Sequence, residues 1–251
     1  MNSYFSELRQ AGAGSIYKLV DDLEDLYRKG DDEAFSLANI IKRNNPNDGT
    51  REPRPPGEIF VRRHIAARGL SCLLIPGSFV THAISTIAGL GAAAVAAVTG
   101  GHCKPAAKAF SHLNQSQDLL ANPYKHLLRT INPQALTGAK RRFFHDTIAR
   151  TVEGFAAKLS RANFWPIAHG ASRLAYAVLA VAYLVTSVAD GLIGVAAASV
   201  SLAFLGRWEA ANAMAYSHLQ ATSVIRNIAY CTIKIINPHA LLGSEWWYMA
   251  I

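Results

Sequence analysis

Residues 174–205 read LAYAVLAVAYLVTSVADGLIGVAAASVSLAFL, a run of 32 residues whose only charge is Asp190. An earlier run, residues 70–99 (LSCLLIPGSFVTHAISTIAGLGAAAVAAVT), has no charge at all. As one helix the later run would be roughly 48 Å long at 1.5 Å per residue, against a hydrocarbon core of roughly 30 Å. A single straight crossing fits poorly, and the pattern predicts a hairpin of two short lobes in each run. The turns are expected at Asp190-Gly191 and at Ser85-Thr86. At the centre of a spanning helix Asp190 would cost about 2.5–3.5 kcal/mol, as much as the roughly 2–4 kcal/mol gained from the aliphatic residues of the lobe before it. At a turn on the far face it would cost little. The flanks are basic at both ends: Arg62, Arg63 and Arg68 before the first run, Lys104 and Lys108 after it, Arg161 and Arg173 before the second and Arg207 after it. Such flanks place both ends of each run on one side of a membrane. The small residues of 89–97 and 194–201 equally suit helices packed closely inside a soluble bundle, which stays open as the alternative.

The two runs belong to an internal duplication. At an offset of 105, His64 falls on His169, Arg68 on Arg173, Val80-Thr81 on Val185-Thr186 and Gly89 on Gly194. One inserted residue places Ser111-His112-Leu113 on Ser217-His218-Leu219. The first offset then returns, with Ile131-Asn132-Pro133 on Ile236-Asn237-Pro238 and Ala135-Leu136 on Ala240-Leu241. The order predicts two tandem, pseudo-symmetric units. Repeat one covers 59–138 (hairpin 70–99, amphipathic helix 104–130) and repeat two 169–243 (hairpin 174–205, amphipathic helix 208–235). In the amphipathic helices Lys125, Arg129, Arg226 and Lys234 stand among apolar residues at near-helical spacing, and Pro123 should bend or restart the first.

Around these units lie four smaller segments. Residues 1–45 read as an acidic helical pair: Ser15 caps a helix ending at Gly30, and Asp31, Asp32 and Glu33 open a second. Residues 46–58 are a proline-rich linker, whose Pro53 to Pro56 spacing also fits a groove-binding ligand. The connector 139–168 opens with Lys140-Arg141-Arg142 before Phe143-Phe144, and the tail 244–251 carries Trp246-Trp247-Tyr248. Basic and aromatic clusters of this kind suit a headgroup layer. Arg68, Lys140, Arg141, Arg142, Arg173, Trp246 and Trp247 are therefore the candidate lipid contacts. Charge divides with the architecture: residues 1–58 hold 11 acidic and 8 basic residues, and the rest 6 acidic and 17 basic.

Composition narrows the class. With 51% hydrophobic residues the chain is not disordered, and a mean hydropathy of +0.13 is too polar for a chain made wholly of spans. Cys72, Cys103 and Cys231 are too far apart in sequence for a metal knuckle and read as buried and reduced. The repeated His64/His169 and His112/His218 come with no HExxH, no nearby cysteine pair and no carboxylate pair at helical spacing, so a structural role is expected of them. Asp118 follows His112 by six residues but has no acidic counterpart in repeat two. No nucleophile elbow, phosphate loop, dinucleotide fingerprint or nucleic-acid motif is present. No catalytic residue, cofactor or metal is expected. Asp190 and His82 could line a polar path through a membrane.

Two closely spaced hydrophobic lobes around a short turn, with basic flanks and no cleavable signal peptide, resemble the bilobed domains of chlamydial inclusion membrane proteins. The Ser-His-Leu to Ile-Asn-Pro-x-Ala-Leu ending is similar to that of uncharacterised chlamydial proteins. The resemblance implies a secreted bacterial protein inserted in a pathogen vacuole or host membrane. The reading is an all-α, non-enzymatic membrane protein that anchors, remodels or scaffolds, with lipids as partners and the N-terminal helices free for a protein. Its competitor is a soluble pseudo-symmetric bundle acting as an interaction scaffold.

Overall fold

The computed structural model describes residues 18–34, 36–37, 57–135, 142 and 144–242, and among them every regular element is helical. Helix α1 covers 18–34. It is followed by α2 (Gly57–Val98), α3 (Lys104–Ala109), a 3-10 segment (Phe110–Gln117) and α4 (Asp118–Ile131). A π-helical turn (His145–Ala149) leads into α5 (Arg150–Ser160), and a second (Pro166–Ala171) into α6 (Ser172–Ala203). Helix α7 (Glu209–Leu219), a 3-10 turn (Gln220–Ser223) and α8 (Val224–Ile236) are the last of the described elements. Either side of the connector the order is the same: a long helix, a glycine turn, a short helix, a 3-10 stretch, a terminal helix and Asn-Pro.

The hairpins are not there. Ser85 and Thr86 lie inside α2, and Asp190 and Gly191 inside α6, so each apolar run is one unbroken helix of 42 and 32 residues respectively. The expectation of a turn assumed that Asp190 inside a helix would face lipid. Instead it is 1% exposed and faces protein. Its Oδ2 accepts the His145 backbone N–H at 3.2 Å, and its Oδ1 lies 3.7 Å from His218 Nε2. A carboxylate with partners on the inner face carries no reason to end a helix rich in Ala. Helix α2 continues through Pro76 as well, at the cost of the hydrogen bond to the Cys72 carbonyl that proline cannot donate.

Other boundaries also move. Neither amphipathic stretch is one helix: 3-10 geometry separates α3 from α4 within 104–130 and α7 from α8 within 208–235, and Pro123 sits within α4 rather than at its break. Helix α1 passes through Gly30 into Asp31, Asp32 and Glu33. Gly30 is a packing residue, since a Cβ there would come within 3.1 Å of the Leu74 side chain. Residues 1–17, 38–56, Lys140, Arg141, Trp246 and Trp247 lie outside the described residues, and with them the linker and tail expectations.

The halves interlock at their glycine turns. Gly100 and Gly101 after α2, and Leu205 and Gly206 after α6, all have positive φ. Asn237 Nδ2, from the Asn-Pro loop behind α8, donates to the Gly100 carbonyl at 2.7 Å. Asn132, behind α4, donates to the Gly206 carbonyl at 3.4 Å. A Cβ on Gly101 would meet Ala240 at 2.6 Å, and one on Gly206 would meet Leu128 at 2.8 Å and Ala135 at 3.3 Å. Each loop is thus seated on the turn of the other half. The apolar core follows the same exchange: Ala93, Ala96, Phe110 and Leu113 pack with Ile233 and Leu242, and Ala197 and Ala215 with Tyr124 and Leu128. A third cluster joins Ala149 and Ala156 to Tyr176, Leu179 and Cys231.

Gly89 and Gly194 let the 3-10 stretches reach the long helices. A Cβ at Gly89 would stand 2.7 Å from the Leu113 backbone nitrogen, and at Gly194 2.8 Å from that of Leu219. Backbone cannot yield there as a side-chain end can. Gly89→Ala should therefore destabilise the fold by about 1–3 kcal/mol in chemical denaturation. Gly69, on the same helix with nothing within 4 Å of its Cβ position, should gain roughly 0.5–1 kcal/mol as Ala. Equal effects at the two sites would contradict the packing argument.

Candidate functional site

The two long helices have their polarity reversed. On the buried arc of α6 lie Ser172, Ala175, Thr186, Ser187, Asp190, Gly194, Ala197 and Ser201, with Tyr176, Leu179 and Tyr183 as its larger members. Its exposed arc carries Leu174, Val178, Val181, Val185, Val188, Leu192 and Val195, each at least 58% exposed. These positions advance by four and three residues alternately, so they form one continuous stripe. Helix α2 behaves likewise. Ser71, Ser78, Thr81, His82, Ser85 and Thr86 are buried while Leu73, Phe79, Val80, Ile87, Leu90 and Val98 are exposed. A helix on the surface of a soluble domain turns its apolar face inward. These two do the opposite, and both are long and apolar enough to cross a membrane.

Much of the polar interior is paired within the chain. In the first half α1 lies against α2 and α4. Glu24 accepts from Ser85 Oγ at 2.6 Å and from Gln115 Nε2 at 3.3 Å, with His112 Nδ1 3.6 Å away. Asp31 accepts from Lys125 Nζ at 2.7 Å and from Arg129 Nη1 at 3.2 Å. Burial alone would raise the Asp31 carboxyl, but the charge and hydrogen bond of Lys125 outweigh it and hold the group below its ordinary value. Asn122 Nδ2 donates to His82 Nε2 at 2.9 Å, and Asn122 Oδ1 accepts from Tyr216 Oη at 3.3 Å, which ties both halves into one network. The acidic face of α1 that was expected to await a protein partner is thus partly spent inside the chain.

A pairing hidden in the sequence emerges here. The histidine of each Ser-His-Leu faces a carboxylate, but the carboxylate comes from different places. For His218 it is Asp190 on α6. For His112 it is Glu24 on α1, lying over Ser85, which the offset of 105 aligns with Asp190. The only signal was the replacement of Ser85 by Asp190 at matched positions, and the long sequence distance to Glu24 concealed its meaning. Asp21, Glu24 and His112 also bring three potential metal donors together. The two ring nitrogens of His112 point apart, however: Nδ1 faces Glu24 and Nε2 faces Asp21. The bonds from Ser85 and Gln115 already occupy Glu24.

The predicted lipid contacts separate. Arg142 is half-buried, and its Nη1 donates to the Gln220 carbonyl and to Ser223 Oγ, both at 3.1 Å. Arg68 and Arg173 stand at the starts of the apolar stripes, each four residues after a repeated histidine, and each lines a cavity with it. Cys72 is exposed rather than buried, Cys103 half-buried and Cys231 buried, all three as free thiols. Comparison with protein-family models, curated proteins and solved structures finds no match.

Acid should loosen this interior. Burial, with the nearby charge of Lys125, pushes His126 down to about 3, and burial with Arg142 pushes His145 down to about 4. Both lie below the unfolded value, so their stability contribution is complete above about pH 6.5 and is lost as pH falls toward the folded value. Burial raises Asp118 to about 6; its contribution is present at low pH and is lost as pH rises through about 6, so it offsets part of the trend. Denaturation midpoints should fall between pH 7 and 5, and His126→Gln should remove roughly 1–2 kcal/mol of that dependence. An unchanged slope in the variant would show that His126 is not the neutral buried group described.

Proposed function

We propose that the chain is a membrane-associated scaffold whose two long helices lie along the surface of one leaflet, with their aliphatic stripes inserted. The observation that carries this is the reversed polarity of α2 and α6. Large contiguous apolar surface on the outside of a folded chain is where a partner or lipid attaches, and here it is the regular outer face of both principal helices. Each stripe side chain leaving water contributes on the order of 1 kcal/mol, so seven on α6 alone suffice for stable attachment.

An in-plane position accounts for three further features. At 1.5 Å per residue α6 is roughly 48 Å long and α2 roughly 63 Å, both in excess of a hydrocarbon core of roughly 30 Å. A helix lying in the interface has no such length limit. Basic residues flank both ends of each apolar run, as expected where both ends meet the headgroups of one leaflet. Helices α1 and α5, packed on α2 and α6, expose the charged Lys18, Asp21, Asp22, Asp25, Arg150 and Lys158, a set the long helices lack in their apolar stripes. The matched order of elements and the exchanged Asn-Pro loops support descent of the two halves from one duplicated unit.

A second reading draws on the same stripe. Alternation of four and three residues from Leu174 to Val195 is the spacing of a coiled-coil seam, and it favours a soluble bundle that pairs through α6 with another helix. Flotation with neutral phosphatidylcholine vesicles separates the two. The wild-type chain should float, and Val185→Lys with Val188→Lys should lower the bound fraction by about tenfold or more, because two charges replace two buried aliphatic groups. A wild-type chain that stays with the soluble fraction as a defined oligomer, dispersed to monomer by the same pair, would favour the coiled-coil reading and contradict the proposal.

A further inference from the structure

Helix α1 is fastened to the first half by polar contacts at three points. Asp31 accepts from Lys125 Nζ at 2.7 Å and from Arg129 Nη1 at 3.2 Å. Two turns earlier Glu24 accepts from Ser85 Oγ at 2.6 Å and from Gln115 Nε2 at 3.3 Å. Between them Tyr27 Oη lies 2.8 Å from His126 Nε2, and the Tyr27 ring meets that of His82 edge on at 5.1 Å. Apolar burial adds little. Val20 and Ala34 are the only apolar residues that α1 buries, while Leu19 and Leu26 are 60% and 69% exposed. None of the three apolar clusters described above includes a residue of α1. The carboxylates of Glu24 and Asp31 sit at the rim, with side chains 22% and 25% exposed, so water and salt reach these pairs.

The second half is closed differently at the matching place. Its π-helical turn and α5 lie on α6 through an apolar cluster, with Ala149 and Ala156 against Tyr176, Leu179 and Tyr183. The carboxylate facing His218 belongs to α6 itself, whereas the one facing His112 arrives on α1. Charge sets α1 apart as well. Residues 18–34 hold seven acidic and three basic residues, and residues 59–251 hold 6 acidic and 17 basic.

We propose that α1 occupies, from within the chain, a docking site for an acidic helix of another protein, and yields the site to such a partner. The contact itself defines the chemistry recognised. A partner needs one carboxylate for Lys125 and Arg129, and a second seven residues earlier, on the same face of its helix, as the acceptor that buried Ser85 requires. Charge complementarity makes the selection: a helix basic at these positions would set like charge against Lys125 and Arg129. Ser85 and His82 lie on the buried arc of α2, away from its apolar stripe, so a partner held there does not compete with the stripe. The inference goes beyond membrane attachment and does not depend on it.

A fluorescent synthetic peptide of residues 18–34, titrated with the full chain in neutral detergent, is the probe. In the wild-type chain the resident α1 competes for the site at high effective concentration. Glu24→Gln with Asp31→Asn in the chain removes both carboxylates from that competitor, and binding of the unchanged peptide, read by anisotropy, should tighten about tenfold or more. The same two changes made in the peptide should abolish the gain, as should sodium chloride at about 1 M. Gly30→Val evicts α1 by a second route, because a Cβ there stands 3.1 Å from the Leu74 side chain, and it should raise peptide binding likewise. Circular dichroism reports whether each variant keeps its fold, and if only one does, that one decides. Peptide affinity unchanged in the folded variants, or indifferent to the peptide's own carboxylates, would overturn the proposal. Loss of the helical fold in both would do the same, since α1 would then be a fixed part of the fold. A wild-type oligomer dispersed by Gly30→Val would place the α1 of a second copy in the site and overturn the assignment to another protein. Flotation on neutral vesicles is a separate measurement, so failure here and failure of membrane attachment are distinguishable.

Discussion

A buried polar group must be met by partners within hydrogen-bond reach, and the two long helices of this chain bury many such groups. That requirement organises the molecule. Ser85 needs an acceptor, and α1 is laid across α2 so that Glu24 supplies it. Asp190 needs donors, and the connector turns into its π-helical stretch where the His145 N–H reaches the carboxylate. Asp31 is held between Lys125 and Arg129 on α4. The secondary elements that surround α2 and α6 are placed by what these helices turn inward, while what they turn outward is left to something else.

The outward face gives the architecture its sense. In a soluble bundle the energy of folding comes from burying Val, Leu and Ile, and small residues fill the gaps. Here the long helices bury alanine, serine and threonine against their neighbours, which brings backbones close enough that Gly89 and Gly194 cannot carry a side chain. Close approach of this kind is the packing used where lipid removes the hydrophobic contrast between helices. The terminal helices α4 and α8 and the Asn-Pro loops then clasp the glycine turns of the opposite half. The proposed in-plane arrangement would reconcile the basic flanks with unbroken rods.

The legible part of this fold was the part written in periodicity and composition. The all-α class, the two apolar runs, their basic ends and the matched Ser-His-Leu and Asn-Pro positions could be read from residue spacing alone. The hairpin turns could not, because the sequence shows that Asp190 is charged but not which way it points. Ser85-Thr86 carries no helix-breaking residue, and the expected turn there was inferred by analogy with Asp190. Gly30 had the look of a helix stop and is instead a contact with Leu74. The hydrogen bonds of Arg142 were hidden as well, because its acceptors, Gln220 and Ser223, are about eighty residues away.

The proposed membrane attachment requires the outer face of α6 to meet lipid. A nitroxide placed in turn at residues 181, 185, 188 and 192, in a chain whose Cys72, Cys103 and Cys231 are replaced by serine, reports that directly in vesicles. Collision with dissolved oxygen should be frequent and collision with a water-soluble nickel chelate rare at all four positions, with the reverse at residue 158 on α5. Free access of the nickel chelate to the stripe would contradict the account, and so would protection from both reagents, since the first outcome means water and the second a protein partner.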